Sequence, residues 1–172
     1  MGDEYGLEEI EGAVRGRGVV MDAALFTKRY IGELLEICPT AILTPHPKEF
    51  SSLLSQTLGI SVSVLDVQTD RFGYAAMFCE RYPEATLVLK GANTIIRKGG
   101  AVFVMNFGTP ALAKGGSGDM LCGAIGAYLA QGFVPLEAAK NGSLAVAISA
   151  SNYKGNDYSM CADDVIKGFA WL

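Results

Sequence analysis

Residues 106–126 read NFGTPALAKGGSGDMLCGAIG, a glycine-rich segment that joins two different sequence patterns. The residues before it, Ala101 to Met105, are apolar and predict a strand. The residues after it place apolar side chains at helical spacing, namely Met120, Leu121, Ala124, Ile125, Tyr128 and Leu129. The glycines therefore lie at a strand-to-helix turn, a connection typical of α/β proteins.

A strand-to-helix turn of this composition is suited to binding a phosphate. The first N–H groups of the helix have no partner within it, and the helix dipole is positive at that end. Gly115, Gly116 and Gly118 can adopt positive φ and let a ligand approach the backbone. Asp119 follows in the first helical turn, where a carboxylate is a candidate general base. The alternative is a plain turn in which Ser117 or Asp119 caps the helix.

Three segments of the chain together resemble the NAD(P)H-hydrate dehydratases, a branch of the ribokinase-like superfamily. Residues 108–123 read GTPALAKGGSGDMLCG, which is similar to a signature of that branch. Upstream of it stand LTPHPKEF at residues 43–50 and LKGANT at residues 89–94, in the expected order. Three ordered motifs are more specific than any one of them, and the resemblance covers nearly the whole chain from about Val19 onward.

The resemblance implies a fold and an activity. The fold is α/β, a three-layer ribokinase-like arrangement with a mostly parallel central sheet. The activity is nucleotide-dependent dehydration of hydrated NADH and NADPH, called NADHX and NADPHX. The terminal phosphate of ADP or ATP is transferred to the hydrate hydroxyl, and elimination then regenerates the nicotinamide cofactor. Mg²⁺ would screen the phosphate charges. Its ligands, and the choice between ADP and ATP, stay open.

The resemblance also implies which residues form the site. Asp119 would contact the substrate and deprotonate its hydroxyl, while the N–H groups of Gly116 to Gly118 hold the transferred phosphate. His46, the only histidine, follows a predicted strand, and strand ends form the ligand edge of an open α/β sheet. A substrate contact is expected there. The nucleotide-binding residues would be Lys90, Gly91, Ala92, Asn93, Thr94, Gly115, Gly116, Ser117 and Gly118.

Two positions depart from the family pattern. Members often carry an Asp-Ala-Asp-Ala-Leu run, whereas residues 21–25 read MDAAL, so capping of the next helix is the safer interpretation of Asp22. Members also often carry a histidine in the helix predicted for residues 136–153, and none is present there. Two site residues have plain alternatives, because His46 is otherwise a loop residue and Lys90 a side chain that extends to solvent.

The remaining patterns predict the elements that carry these motifs. A short amphipathic helix would place Leu7, Ile10 and Val14 on one face, within a polar, acidic start over residues 1–17. Strands are predicted at residues 18–21, 41–44 and 85–90, with a hairpin of residues 95–97 and 101–105. Helices are predicted at residues 28–36, from Pro47, and at residues 71–81, 118–130, 136–153 and 162–166. Residues 55–69 are predicted as loop and short strand.

Composition argues against several classes of protein. The net charge of −4 argues against a general nucleic-acid or anionic-membrane surface. No apolar run reaches the ~18 residues of a membrane span and no secretory leader opens the chain, so a soluble, cytoplasmic protein is expected. The four cysteines form no CxxC pair, and buried free thiols are expected rather than a zinc site.

Two other functions stay open. A kinase of the same superfamily, acting on a vitamin precursor or a sugar, would share the chemistry of the glycine-rich turn, although LTPHPKEF and LKGANT favour the dehydratase. A non-catalytic nucleotide-binding or scaffold module is supported by the length of 172 residues, because related domains have several elements before Val19.

Residues 1–172 are therefore expected to form a single ribokinase-like domain whose N-terminal part is missing. A sheet with a bare edge recruits partners, so a homo-oligomer or association with the missing segment is expected. Alone, residues 1–172 are expected to be poorly soluble or associated, with little activity until the upstream segment is restored.

Overall fold

The computed structural model describes residues 6–172, so the first five residues of the predicted acidic start lie outside the described part. The strands are β1 (Val20–Met21), β2 (Ile42–Leu43), β3 (Thr86–Leu89), β4 (Thr94–Lys98) and β5 (Ala101–Met105). The helices are α1 (Leu7–Val14), α2 (Ile31–Ile37), α3 (Pro47–Leu58), α4 (Val64–Thr69), α5 (Arg71–Arg81), α6 (Ser117–Ala130), α7 (Pro135–Ser151) and α8 (Ala162–Gly168). Short 3₁₀ turns cover Ala23–Thr27, Pro110–Leu112 and Phe169–Trp171.

The strands form one sheet in the order β1-β2-β3-β4-β5. β1, β2 and β3 run parallel, with Ile42 opposite both Val20 and Thr86. β4 runs antiparallel to β3, and β5 antiparallel to β4. The predicted hairpin is therefore confirmed, and its turn includes Gly99 at a φ of +50°.

Each face of the sheet packs against its own layer of helices. Side chains of a strand alternate between the two faces, so Ile42 and Val88 enter a core formed with α6, α7 and α8. Leu43, Leu87 and Leu89 enter a second core formed with α2, α3 and α5. Strands buried on both faces read as continuous apolar runs, which is why the sequence predicts them well. The predicted three-layer α/β architecture is confirmed.

Local signals explain where most helices begin. α5 has the predicted bounds, and the Asp70 carboxylate accepts a hydrogen bond of 2.8 Å from the N–H of Gly73. α7 begins at Pro135, a position where the missing N–H of proline is tolerated. α6 and α7 pack so closely that a Cβ at Gly142 of α7 would lie only 2.7 Å from the Ile125 side chain of α6. The absence of a side chain at Gly142 therefore permits this packing. Within residues 6–172 no helix combines the length and apolar character that crossing a membrane requires.

The prediction of loop and short strand for residues 55–69 is right only for the loop at residues 59–63 and is wrong for the helices on either side of it. α3 continues to Leu58 and ends at Gly59, whose φ of +68° terminates the helix. α4 follows, and Ser63 and Asp66 form its capping box. The Ser63 hydroxyl accepts from the Asp66 N–H at 3.1 Å, and the Asp66 carboxylate accepts from the Ser63 N–H at 2.8 Å. This spacing is a helix-start signal that the β-branched residues around it obscure.

Candidate active site

A cavity of about 810 Å³ opens at the carboxyl ends of β2 and β3, beside the first turn of α6. This edge is where open α/β sheets bind ligands. Among its lining residues are these predicted site residues: His46, Lys90, Gly91, Ala92, Thr94, Gly115, Ser117 and Gly118. Three segments that are far apart in the sequence thus meet at one cavity.

Three predicted site residues, Asn93, Gly116 and Asp119, are not among those that line the cavity. Asn93 is exposed in the turn between β3 and β4. Gly116 immediately precedes α6, and Asp119 is exposed in the first turn of that helix, next to Gly118. The roles of these three residues stay predictions.

The glycine-rich turn brings the N-terminus of α6 to the cavity. Gly116 is the N-cap residue and has a φ of +86°, as predicted. Gly115 and Gly118 do not adopt positive φ, so that part of the prediction is wrong. At Gly118 the requirement is space, since a Cβ there would lie 3.2 Å from Asp22 Oδ2 and 3.5 Å from Lys90 Nζ.

No side chain caps α6 at its N-cap residue, because that residue is Gly116. The alternative in which Ser117 or Asp119 caps the helix is therefore wrong. The turn is held instead by Lys114, whose Nζ donates to the carbonyl oxygens of Asp157 and Met160 at 2.6 and 2.7 Å. Sequence reasoning missed this lysine because its partners lie 43 and 46 residues away.

Lys90, which follows β3, lies between two carboxylates. Its Nζ is 3.1 Å from Asp22 Oδ1 and 3.5 Å from Glu49 Oε2. The three side chains are only 18–21% exposed, so salt screens these attractions less than it screens surface ion pairs. Lys90 therefore points into the site rather than extending to solvent.

The prediction that Asp22 caps the next helix is wrong. Asp22 precedes the 3₁₀ turn Ala23–Thr27 but makes no side-chain capping bond. Its Oδ1 accepts hydrogen bonds from Thr44 Oγ1 at 2.8 Å and from Lys90 Nζ at 3.1 Å. These three residues directly follow β1, β2 and β3, whose carboxyl ends lie side by side because the strands are parallel neighbours. That adjacency is the signal from which Asp22 was recoverable.

His46 has a structural role as well as a place in the cavity. It is the N-cap of α3, and its Nδ1 accepts a hydrogen bond of 3.1 Å from the N–H of Glu49. The Glu49 carboxylate accepts from the His46 N–H at 2.8 Å, and its other oxygen is 3.2 Å from His46 Nε2. This capping box fixes the imidazole at the cavity and links it through Glu49 to Lys90.

Cys122 lies behind the carboxylates, with its Sγ 3.3 Å from the Thr44 hydroxyl. Burial raises the pKa of Cys122 to about 11, so its thiol is neutral at pH 7 and a poor nucleophile. The prediction of buried thiols is confirmed for Cys38 and Cys79 and wrong for half-buried Cys122 and exposed Cys161. Among the described residues, no group of three or more His, Cys, Asp or Glu side chains is arranged to hold a metal.

Part of the cavity wall is apolar and includes Leu112, Leu121 and Val146. Ser143 of α7 also lines the cavity, and its buried hydroxyl has no hydrogen-bond partner among the described residues. α7 is the helix in which the resemblance leads us to expect a histidine. A cavity lined by both Lys90 and apolar side chains suits a ligand that carries both a phosphate and a planar ring.

Comparison with known proteins finds close matches. The chain matches the family model for NAD(P)H-hydrate dehydratase over residues 5–169. It is 43% identical over 148 residues to the bifunctional NAD(P)H-hydrate repair enzyme Nnr of Helicobacter pylori, an alignment that covers 86% of this chain and 31% of that protein.

Two solved structures are also similar. One is an ADP/ATP-dependent NAD(P)H-hydrate dehydratase from Bacillus subtilis, co-crystallized with ATP and Mg²⁺ (TM-score 0.73, 28% identity, covering 90% of this chain and 53% of that one). The other, a ribokinase-like superfamily protein from Enterococcus faecalis, shows the fold alone (TM-score 0.76, 22% identity, covering 94% and 56%). The predicted ribokinase-like fold is thereby confirmed. The chain spans about a third to a half of the length of these relatives.

Proposed function

The chain belongs to the NAD(P)H-hydrate dehydratase family, and from that membership we propose that it dehydrates NADHX and NADPHX with a nucleotide as phosphoryl donor. One observation carries the proposal: Lys90, His46 and the N-terminus of α6 meet at a single cavity. Such a cavity offers groups that can bind both the donor phosphates and the substrate.

The donor phosphates would lie at the N-terminus of α6. The N–H groups of Gly116 to Gly118 are proposed to donate hydrogen bonds to the phosphate oxygens of the nucleotide. The helix dipole favours an anion beside them. Lys90 adds a positive charge, since its Nζ lies 3.5 Å from the point where a Gly118 Cβ would stand. Donors fixed in advance in this way stabilise the charge on a phosphoryl group during its transfer.

Mg²⁺ would be held by the carboxylates of Asp22 and Glu49. These two groups converge on one point, where they contact Lys90 Nζ. Mg²⁺ in such sites takes one or two carboxylates and completes its shell with phosphate oxygens and water. The residues present therefore fit the ion, which when bound neutralises charge on the phosphates. The Bacillus subtilis relative was co-crystallized with ATP and Mg²⁺, which supports Mg²⁺ as the ion.

Asp119 is the proposed general base, because it follows the anion site directly along α6. Its carboxylate would take the proton of the hydrate hydroxyl as that oxygen bonds to the terminal phosphorus and the nucleotide leaves. The phosphate then leaves with the electron pair of its carbon–oxygen bond. Loss of a proton from the adjacent carbon forms the double bond of the dihydronicotinamide ring.

His46 would contact the hydrated nicotinamide nucleotide, and the apolar wall with Leu112 and Val146 would hold the base of the donor. Both ADP and ATP are candidate donors, as the Bacillus subtilis relative is ADP/ATP-dependent. The remaining nucleotide contacts are proposed for the turn from Lys90 to Thr94, which includes exposed Asn93.

The proposal includes the setting of the protein. Residues 1–172 would belong to one ribokinase-like domain. All four cysteines are free thiols, which supports the cytoplasm as the compartment. β5 lies at an edge of the sheet with Val102, Phe103 and Val104 exposed, which supports association between copies of the chain.

A substrate screen tests this function against a kinase of the same superfamily. The protein is incubated with Mg²⁺, ADP or ATP, and one of three acceptors: NADHX, hydroxymethyl-pyrimidine or a sugar. NADH formation with release of inorganic phosphate is the expected result. A stable phosphorylated pyrimidine or sugar would favour the kinase, and nucleotide binding without any product would favour the non-catalytic module.

A further inference from the structure

Arg71, the first residue of α5, contacts the turn between β3 and β4 through its guanidinium group. Its Nη2 donates to the carbonyl oxygens of Leu89 at 2.8 Å and Lys90 at 3.2 Å, and its Nη1 donates to the carbonyl oxygen of Asn93 at 2.8 Å. One guanidinium therefore joins the end of β3 to the far side of the turn. Within residues 6–172, no other side chain donates a hydrogen bond to these three carbonyl oxygens.

Gly91 allows the guanidinium to approach this closely. A Cβ at Gly91 would lie 2.8 Å from Arg71 Nη2 and 3.0 Å from Arg71 Cζ, which is closer than carbon atoms of real side chains come. Two features of the structure therefore favour glycine at position 91 of the LKGANT motif: its φ of +158° and its close contact with Arg71.

The charge of Arg71 has no carboxylate partner among the described ion pairs. The neighbouring Asp70 carboxylate is engaged by the N–H of Gly73. Partial burial lowers the pKa of Arg71 from its ordinary value, and its Nε has no hydrogen-bond partner within residues 6–172. A half-buried cation without a counter-charge loses hydration, and the hydrogen bonds to the three carbonyl oxygens offset that loss.

We propose that Arg71 is a positioning residue for the donor nucleotide: its planar guanidinium holds the turn from Lys90 to Asn93 in the shape that binds nucleotide. The inference rests on the proposed function, since it assumes that this turn contacts the donor. A lysine cannot replace the arginine, because one ammonium does not span the carbonyl oxygens of Leu89 and Asn93 as a two-pronged guanidinium does.

Calorimetric titration with ADP and ATP in the presence of Mg²⁺ tests the proposal. Arg71→Lys and Arg71→Met should each weaken nucleotide binding about 10–100-fold, the effect of losing hydrogen bonds to a charged group. The Michaelis constant for NADHX should stay unchanged. Arg81→Met is the matched control, because Arg81 lies on the same helix but is exposed and pairs with Glu36. It should leave nucleotide affinity unchanged.

Gly91→Ala provides a second variant that leaves α5 and the cores intact. Its methyl group would meet the guanidinium, and the φ of +158° at Gly91 is strained for alanine, so the shape of the turn should change. Nucleotide binding should therefore weaken at least as much as in Arg71→Met, and the double variant should lose no more than Gly91→Ala alone. Additive losses in the double variant would overturn the proposal. So would full nucleotide affinity in Arg71→Met, or equal losses for nucleotide and NADHX.

The two proposals fail in different ways. A complete enzyme that binds nucleotide but forms no NADH would overturn the proposed function, while the role of Arg71 would still be decided by the affinities of the variants. Wild-type protein that binds neither ADP nor ATP would overturn both.

Discussion

His46 caps α3 and is also the proposed contact for the hydrated nicotinamide nucleotide, and the two roles can be separated by substitution. His46→Ala should destabilise the protein by about 0.5–2 kcal/mol, because α3 loses its N-cap, and should raise the Michaelis constant for NADHX. Asn is a good N-cap, so His46→Asn should restore the free energy of unfolding but not the Michaelis constant. Urea unfolding and steady-state kinetics measure the two effects. An increase in the donor Michaelis constant alone would mean that the two sites are interchanged.

Asp119 is the proposed general base, and its role can be tested by substitution. Asp119→Asn keeps the size of the side chain and removes the base, so turnover should fall about 10²–10⁴-fold while nucleotide affinity stays unchanged. Asp163→Asn, also an exposed acidic residue in the first turn of a helix, is the control and should keep full turnover. Near-normal turnover in Asp119→Asn would remove Asp119 from the mechanism.

Cys79 makes stability depend on alkaline pH. Burial raises the pKa of its thiol from 9.0 to about 11. Between these values the folded state keeps a proton that the unfolded state has lost, so the free energy of unfolding should fall as pH rises, by up to about 2–3 kcal/mol. Urea unfolding across this range should show a shallower decline in Cys79→Ala, whose stability is lower from the start. Equal slopes in the two proteins would contradict this assignment.

At the scale of elements, the glycine-rich turn and α6 act as one unit. Gly118→Val should weaken nucleotide binding while the fold persists, because its side chain would enter the space shared by Asp22 and Lys90. Gly123→Val on the same helix is the control, since a Cβ there meets open space. Calorimetry alongside circular dichroism measures both. Equal affinity in the two folded variants would reduce Gly118 to an ordinary turn residue.

The elements also show what a local pattern can predict. α5 and the β4–β5 hairpin follow from residues close together in sequence, namely the Asp70 cap and the Lys98-Gly99-Gly100 turn. α4 was missed because its capping box stands among β-branched residues that favour a strand. The helix-capping signal and the strand propensity compete here, and packing decides between them. Val67 of α4 is fully buried in the core formed with α2, α3 and α5.

At the scale of the whole molecule, the sequence predicts which segments meet but not how their side chains pair. The three motifs imply one site, and eight of the predicted residues line one cavity. The pairing of Lys90 with Asp22 joins residues 68 positions apart. Such pairs depend on strand order and register, which no single segment carries. Asp22 was recoverable only from the order of the strands, and the partners of Lys114 and Arg71 were beyond sequence reasoning.

The central claim is that a nucleotide drives the dehydration of NADHX at the cavity between β3 and α6. The most direct measurement is the stoichiometry of the reaction: nucleotide consumed, inorganic phosphate released and NADH formed, followed together in one reaction with Mg²⁺. The account predicts one phosphate and one NADH for each nucleotide consumed, and no NADH above the spontaneous rate without nucleotide. NADH formed without nucleotide consumption, or nucleotide consumed without NADH, would contradict it.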